Sequence, residues 1–208
     1  MQITVYGASG RVGRLLVNDL VAADHKVIVF VHHYNPFGSL SGVSVMSGSV
    51  NDKAAVSAAA AGSTILISTL GSWRTTTKTV VATGTAAIIA AAAEHRIDRV
   101  ITLTGANALY AADKPTLADR LTHRILRLTA PQILQDGEAH LALLQASSLA
   151  WTAVRSPVML SFGKTAYRLT DKLPSLAATI PRRAVVAAMI DQLKNTDYYQ
   201  QAPVIRRG

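Results

Sequence analysis

Short continuous apolar runs alternate with longer helical patterns along this chain. The runs are rich in β-branched residues, as in strands that are covered on both faces. They predict strands at 3–6, 27–31, 42–48, 64–69, 99–104 and 150–155, with a last edge strand at 203–205. Apolar residues at helical spacing, with capping residues or a proline at some of their starts, predict helices at 12–23, 53–61, 79–95, 116–129, 138–146 and 181–194.

This alternation of strands and helices predicts an α/β fold, a doubly wound parallel sheet with helices on both faces. We find no internal repeat or linker, so residues 1–208 are expected to form a single domain. Its C-terminal part is expected to form a small substrate-side region.

In the helix predicted at 116–129, we expect the apolar residues to face inward and the arginines to face solvent. The alternative is that the arginines form a basic face that binds a membrane or a partner. The inward set is Leu117, Leu121, Ile125 and Leu128, and the outward set is Arg120, Arg124 and Arg127.

Three glycines mark the junction between the first strand and the first helix. Gly7 allows a sharp turn, Gly10 allows a close approach of the backbone to a phosphate, and Gly13 allows the helix to lie close to the strand. The N–H groups of the helix's first turn then face the anion. The spacing is G-x-x-G-x-x-G, and its position between a strand and a helix predicts a dinucleotide site.

Composition narrows the class of protein. The chain contains no cysteine, which excludes disulfides and thiolate metal sites, and no cluster of His, Asp or Glu has metal-ligand spacing. The net charge of +9 favours anionic ligands such as nucleotides. The basic residues are scattered and aromatic residues are few, so nucleic acid is not the expected partner. With no secretory signal and no membrane-span pattern, we expect a cytoplasmic protein, either a monomer or a homodimer.

The end of the second predicted strand bears on the choice of cofactor. An acidic residue at this point binds the ribose hydroxyls of NAD, whereas a basic residue accommodates the 2′-phosphate of NADP. The strand ends in His32-His33, without an acid, and Arg11 lies in the glycine turn. We therefore predict NADP, with NAD as the alternative and a solvated histidine loop as the simpler explanation of His32.

Four motifs in order resemble one family. They are Gly-Ala-Ser-Gly-Arg-Val-Gly at 7–13, Ile-Ser-Thr-Leu-Gly at 67–71, Arg-Val-Ile-Thr-Leu-Thr-Gly at 99–105 and Ser-Leu-Ala-Trp-Thr-Ala-Val-Arg-Ser-Pro at 148–157. Together they resemble the atypical short-chain dehydrogenase/reductases, in the compact NmrA-like branch that binds NAD(P)H and is similar to the biliverdin and flavin reductases. The resemblance implies a Rossmann-like fold, with a cofactor lying across the ends of the first, second and fourth strands.

The resemblance also implies which residues bind the cofactor. The glycine turn would hold the phosphates, His32 would take the place of an arginine that often contacts the 2′-phosphate, and the later motifs would border the adenosine and the nicotinamide. The residues so implied are Gly7, Ser9, Gly10, Arg11, Val12, Gly13, His32, Thr69, Leu70, Gly71, Thr104 and Gly105. Arg74, in the loop after the fourth strand, is a further phosphate or substrate candidate, or an exposed loop residue.

A catalytic pair is suggested at Tyr110 and Lys114. Main-branch relatives use Tyr-x-x-x-Lys on a helix, where the lysine lowers the pKa of the tyrosine. Pro115 disfavours helical backbone at Lys114, so the pair is expected to lie outside a helix. A flavin or quinone acceptor needs no such pair, because hydride passes directly between stacked rings. Thr104 would then hold an acceptor oxygen or the nicotinamide ribose, unless its hydroxyl bonds local backbone.

Arg155 and Ser156 are expected to border the crevice in which Thr104 would meet the nicotinamide or the acceptor. His123 and His140 are weaker candidates for proton donation. The predicted function is an NAD(P)H-dependent oxidoreductase that passes hydride to a small planar acceptor such as a flavin or quinone. The alternative is a non-catalytic NAD(P)-binding redox sensor of the NmrA-like type. An epimerase-like activity on sugar nucleotides needs a larger substrate lobe than this length provides.

Overall fold

A computed structural model of the protein describes residues 1–38, 40–72 and 77–208, which form ten strands and six helices. The strands are β1 (Gln2–Tyr6), β2 (Lys26–Val31), β3 (Val43–Ser47), β4 (Ile65–Ser68), β5 (Arg99–Gly105), β6 (Ala150–Ser156), β7 (Val158–Leu160), β8 (Tyr167–Thr170), β9 (Thr179–Pro181) and β10 (Val204–Arg207). The helices are α1 (Arg11–Ala22), α2 (Lys53–Ala60), α3 (Val80–His95), α4 (Leu117–Thr129), α5 (Pro131–Gln145) and α6 (Arg182–Asp191).

Within the described residues, eight strands form one sheet in the order β3-β2-β1-β4-β5-β6-β10-β8. Neighbouring strands are parallel except β8, which runs antiparallel to β10. The chain order reverses between β1 and β4, and ligands of such sheets bind outside the carboxyl ends of the strands at this switch point. The predicted Rossmann-like α/β fold is confirmed.

Helices cover both faces of the sheet and bury two apolar clusters. One cluster joins Ile3 and Val5 of β1 to α1 and α6, and the other joins Tyr6 to α2, α3 and α5. Alternate side chains of a strand point to opposite faces, which explains how neighbouring residues reach different clusters. The Tyr6 hydroxyl donates a hydrogen bond to the Val56 carbonyl, 2.8 Å away, and its burial raises the pKa of the phenol. The switch point is therefore held between two packed layers.

Several predicted boundaries need correction. Helix α5 begins at Pro131 rather than at residue 138, because proline is well tolerated at the first helical position. Buried Asp136 interrupts the apolar spacing on which the prediction rested. The last strand is not an edge strand, since β10 lies between β6 and β8. The short strands β7, β8 and β9 were not predicted.

The predicted inward orientation of the apolar residues of α4 is wrong, although its arginines face solvent as predicted. Its apolar side chains face solvent, with exposed fractions of 84% for Leu117, 61% for Leu121, 40% for Ile125 and 79% for Leu128. The helix packs against α5 through its opposite side, where Leu126 is half-buried and the His123 imidazole lies 2.6 Å from the Glu138 carboxylate. None of the described helices has the length and apolar character needed to cross a bilayer.

Candidate functional site

The glycine turn lies directly against the end of β4. Gly7 has a φ of +75°, a conformation that disfavours residues with a side chain, and a Cβ placed on it would lie 2.8 Å from the backbone nitrogen of Leu70. The Gly10 N–H donates to the Gly7 carbonyl across 3.0 Å, which closes the turn. Glycine is thus required at position 7 both by conformation and by the approach of the neighbouring strand.

The start of α1 leaves its backbone donors available. A Cβ on Gly13 would lie 2.5 Å from the Gly7 carbonyl oxygen, so only glycine lets the helix lie this close to the turn. Gly10 is the N-cap, no described side chain caps the helix, and its first turn carries no acidic residue. Ser9 is half-buried in the turn, while Val12 is buried beneath it. The free N–H groups and the positive end of the helix dipole form an anion site. We call this site, formed by the turn and helix start at residues 7–13, the cradle.

Two arginines add positive charge at this end of α1. Arg11 is exposed, whereas Arg182, the first residue of α6, is 9% exposed. Burial lowers the pKa of the Arg182 guanidinium, and the positive charge of Arg11 lowers it further. The Nη2 group of Arg182 donates to the Met159 carbonyl at 3.4 Å, and within the described residues neither arginine pairs with a carboxylate. Sequence analysis missed Arg182, because only the packing of α6 against α1 places it there.

The end of β4 holds the turn in place at the carboxyl edge of the sheet. The Thr69 hydroxyl is directed at two carbonyl oxygens, of Gly7 at 3.0 Å and of Tyr6 at 3.2 Å. Leu70 packs towards α3, where a Cβ on Gly84 would lie 2.3 Å from the leucine Cδ1. Gly71 is exposed with open space beside it. Thr69 therefore positions the cradle, and Gly71 leaves room next to it. The further candidate Arg74 lies outside the described residues.

His32 and His33 follow β2, the strand next to the glycine turn in the sheet. Both side chains are exposed, and their ring centroids are 3.5 Å apart. The register pairs Tyr6 with Phe30, so the residues just beyond each strand end beside one another. The segment from 31 to 42 contains no acidic residue. His32 therefore lies where the ribose end of a dinucleotide is bound in this fold, and the loop that carries it has no carboxylate.

Thr104 and Gly105 end β5 on the same edge of the sheet. Thr104 is half-buried against Gly137 of α5, where a Cβ would lie 3.1 Å from the threonine Oγ1. In the parts of the chain that the structure describes, the Thr104 hydroxyl makes no hydrogen bond. Gly105 is exposed and has open space beside it. Glycines on both sides thus leave the Thr104 hydroxyl free to meet a ligand.

Tyr110 and Lys114 lie in the segment between β5 and α4, outside any helix. The Tyr110 N–H donates to Asp113, its ring packs 5.0 Å from the guanidinium of Arg155, and Lys114 is exposed. Neither α4 nor α5 contains a tyrosine or a lysine. The helical form of the pair is therefore not available, and its catalytic role stays a prediction.

A buried ion pair fixes this segment to the sheet. Arg155 is 1% exposed and donates to both carboxylate oxygens of Asp113, at 2.6 and 2.7 Å. It also donates to the carbonyl oxygens of Ala108 and Ala202. The Arg155 side chain therefore connects the end of β6 to the segment that follows β5 and to the residues just before β10. Sequence analysis placed Arg155 at the crevice but missed Asp113, whose 42-residue separation leaves no local signal.

The two histidines considered as proton donors have other partners. His140 is fully buried between the hydroxyls of Thr85, at 2.7 Å, and Thr102, at 3.0 Å, and burial lowers its pKa to about 4. His123 pairs with Glu138 between α4 and α5. Ser156 is buried, and its hydroxyl donates to the Pro157 carbonyl. Among the described residues, no group of three or more His, Cys, Asp or Glu side chains could hold a metal ion.

Comparison with known proteins identifies the family. The NAD(P)H-binding family model matches residues 7–196, which is most of the chain and includes every cradle residue described above. The chain belongs to this NAD(P)H-binding family. No curated protein matches it by sequence.

Solved structures share the fold at low sequence identity. A short-chain dehydrogenase/reductase from Veillonella parvula DSM 2008, in complex with NADP, has a TM-score of 0.80 at 21% identity and covers 99% of this chain and 94% of its own. ChuY, an anaerobilin reductase from Escherichia coli O157:H7, has a TM-score of 0.80 at 20% identity, with 100% and 97% coverage. The oxidoreductase ylbE from Lactococcus lactis has a TM-score of 0.81 at 16% identity, with 100% and 91% coverage. These proteins share the fold of this chain over nearly its whole length.

Proposed function

We propose that the protein is an NADPH-dependent reductase that passes hydride to a small planar acceptor such as a flavin or quinone. One observation carries the proposal: the uncapped start of α1 forms an anion cradle beside Arg11, at the switch point of the sheet. The family match supplies the class of ligand, because its members bind NAD(P)H.

The cradle fits the pyrophosphate of a dinucleotide. Gly7 and Gly13 are at positions where a Cβ would overlap backbone atoms, and the N–H groups that follow Gly10 remain free for phosphate oxygens. Thr69 holds the turn against β4, and Ser9 and Val12 complete it. Leu70 and Gly71 would border the adenosine side of the bound cofactor.

The preference for NADP rests on charge. His32 replaces the acid that would bind the ribose hydroxyls of NAD, and Arg11 is exposed at the neighbouring turn. The related fold from Veillonella parvula was solved in complex with NADP. A 2′-phosphate near Arg11 and His32 would meet two potential donors and no carboxylate.

Thr104 and Gly105 are proposed to form the nicotinamide side. The cofactor supplies the hydride, and a planar acceptor stacked on its ring needs chiefly to be positioned. The free Thr104 hydroxyl can donate a hydrogen bond to an acceptor oxygen or to the ribose, and exposed Gly105 leaves room for a ring. We propose Thr104 as the residue that contacts the reacting groups.

Tyr110 and Lys114 are proposed as a secondary source of the proton. Arg155 and Asp113 fix the segment that carries them, so the phenol would have a defined position near the crevice. Proton transfer by the phenol predicts that Tyr110→Phe lowers kcat by about 100-fold, while Lys114→Gln shifts its pH profile. Unchanged rates for both variants would remove the pair from the mechanism.

A redox sensor that binds NAD(P) without turnover is the second candidate. The lack of tyrosine and lysine on α4 and α5 favours it, because the helical catalytic pair is missing. Measuring NADPH oxidation by purified protein with a panel of quinones and flavins separates the two. Turnover that Gly10→Asp abolishes would support the reductase, and tight NADPH binding with no turnover on any acceptor would favour the sensor.

A further inference from the structure

The outward face of α4 is a continuous apolar row. Leu117, Leu121, Ile125 and Leu128 follow one another at helical spacing, and none is covered by the described chain. None of the residues of this helix is buried. A large exposed apolar row of this kind marks a surface that contacts something else.

A basic flank runs beside the row. At 3.6 residues per turn, Arg120, Arg124 and Arg127 lie along one side of the leucines, roughly a quarter-turn round the helix. Within the described part of the chain the side chains of these arginines make no hydrogen bond or ion pair, and all three residues are exposed. Lys114, just before the helix, is also exposed.

Every acid of residues 110–145 already has a partner. Asp113 binds Arg155, Asp119 caps α4 with Thr116, Asp136 accepts from the first turn of α3, and Glu138 binds His123; the bonds are 2.6 to 3.2 Å long. Asp119 keeps its negative charge, but at 3.6 residues per turn it lies on the side of α4 away from the leucines. The outward face of the helix is therefore apolar and positive. An occupant must offer apolar volume bordered by negative charge.

A second copy of the chain, paired face to face through α4, does not meet this requirement. Pairing two α4 faces would bring six arginines together with no acid between them, and like charges at close range destabilise an interface. A bilayer containing anionic lipids offers acyl chains for the leucine row and phosphates at the level of the arginines. The capping box of Thr116 and Asp119 stabilises the helix end without burial of its outer face.

We propose that α4 docks the protein on the surface of an anionic lipid bilayer. The apolar row enters the boundary between headgroups and acyl chains, and Arg120, Arg124 and Arg127 bind lipid phosphates. The proposal does not depend on NADP or on turnover.

Sedimentation with vesicles tests it on the whole protein. We expect binding to phosphatidylcholine vesicles that contain about 30% phosphatidylglycerol, weak binding to phosphatidylcholine alone, and loss of binding in about 0.5 M salt. Replacing the three arginines by glutamine should lower affinity by roughly 100-fold, at about fivefold for each charge. Leu117→Asn with Leu121→Asn should lower it by at least about tenfold, since two apolar side chains no longer insert.

Matched controls use the same substitutions elsewhere on the surface. Leu176 is an exposed leucine and Arg168 an exposed arginine of β8, and Leu176→Asn and Arg168→Gln should bind like the wild type. NADPH affinity should be unchanged in all variants, which separates this proposal from the cofactor site. Absence of wild-type binding to anionic vesicles, or equal loss in the control variants, would overturn it. So would self-association that the α4 variants abolish while vesicles are not bound.

Discussion

Replacing Gly10 by aspartate should separate folding from cofactor binding. The position is the N-cap of α1, with φ of −68° and ψ of 168°, extended backbone that any residue adopts. Aspartate is a favoured N-cap and adds a negative charge at the positive end of the helix. A new Cβ would meet only the Gly7 carbonyl, at 3.1 Å, so an adjustment of a few tenths of an ångström suffices. We expect the melting temperature to stay the same or rise slightly.

Cofactor affinity should collapse in the same variant. A carboxylate about 4 Å from a phosphate charge, at an effective dielectric constant near 20, repels it by about 4 kcal/mol. This energy corresponds to roughly a 1,000-fold loss in NADPH affinity, measurable by isothermal titration calorimetry. The aspartate would also accept the N–H bonds that the phosphate needs, which acts in the same direction.

Gly10→Asn is the matched control, because asparagine has nearly the same shape, also caps the helix and carries no charge. It should lose distinctly less affinity than the aspartate variant. Retained NADPH affinity in Gly10→Asp would refute the cradle. Equal losses in both variants would show that the bulk of the side chain, rather than its charge, prevents binding.

Three further changes test other parts of the structure. NADPH should raise the melting temperature more than NADH in the wild type, and His32→Asp should reverse that order; equal shifts in the wild type would remove the role assigned to His32. Asp113→Ala leaves Arg155 as an uncompensated buried charge and should lower the free energy of unfolding, measured in urea titrations, by about 3–5 kcal/mol. A loss below about 1 kcal/mol would mean that the pair is not needed for stability. The pKa of His140 is lowered to about 4 from an unfolded value near 6.5, so the unfolded chain binds the extra proton between these values. Its contribution to stability is complete above about pH 6.5 and falls by about 3 kcal/mol as the pH drops to about 4; His140→Gln should flatten this dependence, and an unchanged slope would contradict the assignment.

Most of the fold was predictable from local patterns in the sequence. The glycine turn and the central strands were predictable because each depends on a few adjacent residues, such as Gly7 and the apolar run that precedes it. The face of α4 was not, since helical spacing shows that Leu117 and Leu121 share a face but not which way that face points. Only the packing of α5 against the inner side decides this.

Other features that the sequence did not reveal depend on contacts between residues that are far apart in the chain. Asp113 and Arg155, or Arg11 and Arg182, meet only after distant elements pack together. The strands β7, β8 and β9 are three or four residues long, too short for a clear period of alternation. The free hydroxyl of Thr104 is likewise visible only once Gly137 is seen beside it.

The position of β10 dictates an order of assembly for one edge of the sheet. Strand β8 comes earlier in the chain, yet its partner in the sheet is β10, paired from Val204 with Thr170 to Arg207 with Tyr167. Until residues 204–207 insert beside β6, β8 has no neighbour and β6 presents an unpaired edge. Such edges invite aggregation, and contacts of this sequence separation form slowly. During synthesis, this side of the sheet should therefore remain unfinished and vulnerable until β10 is in place.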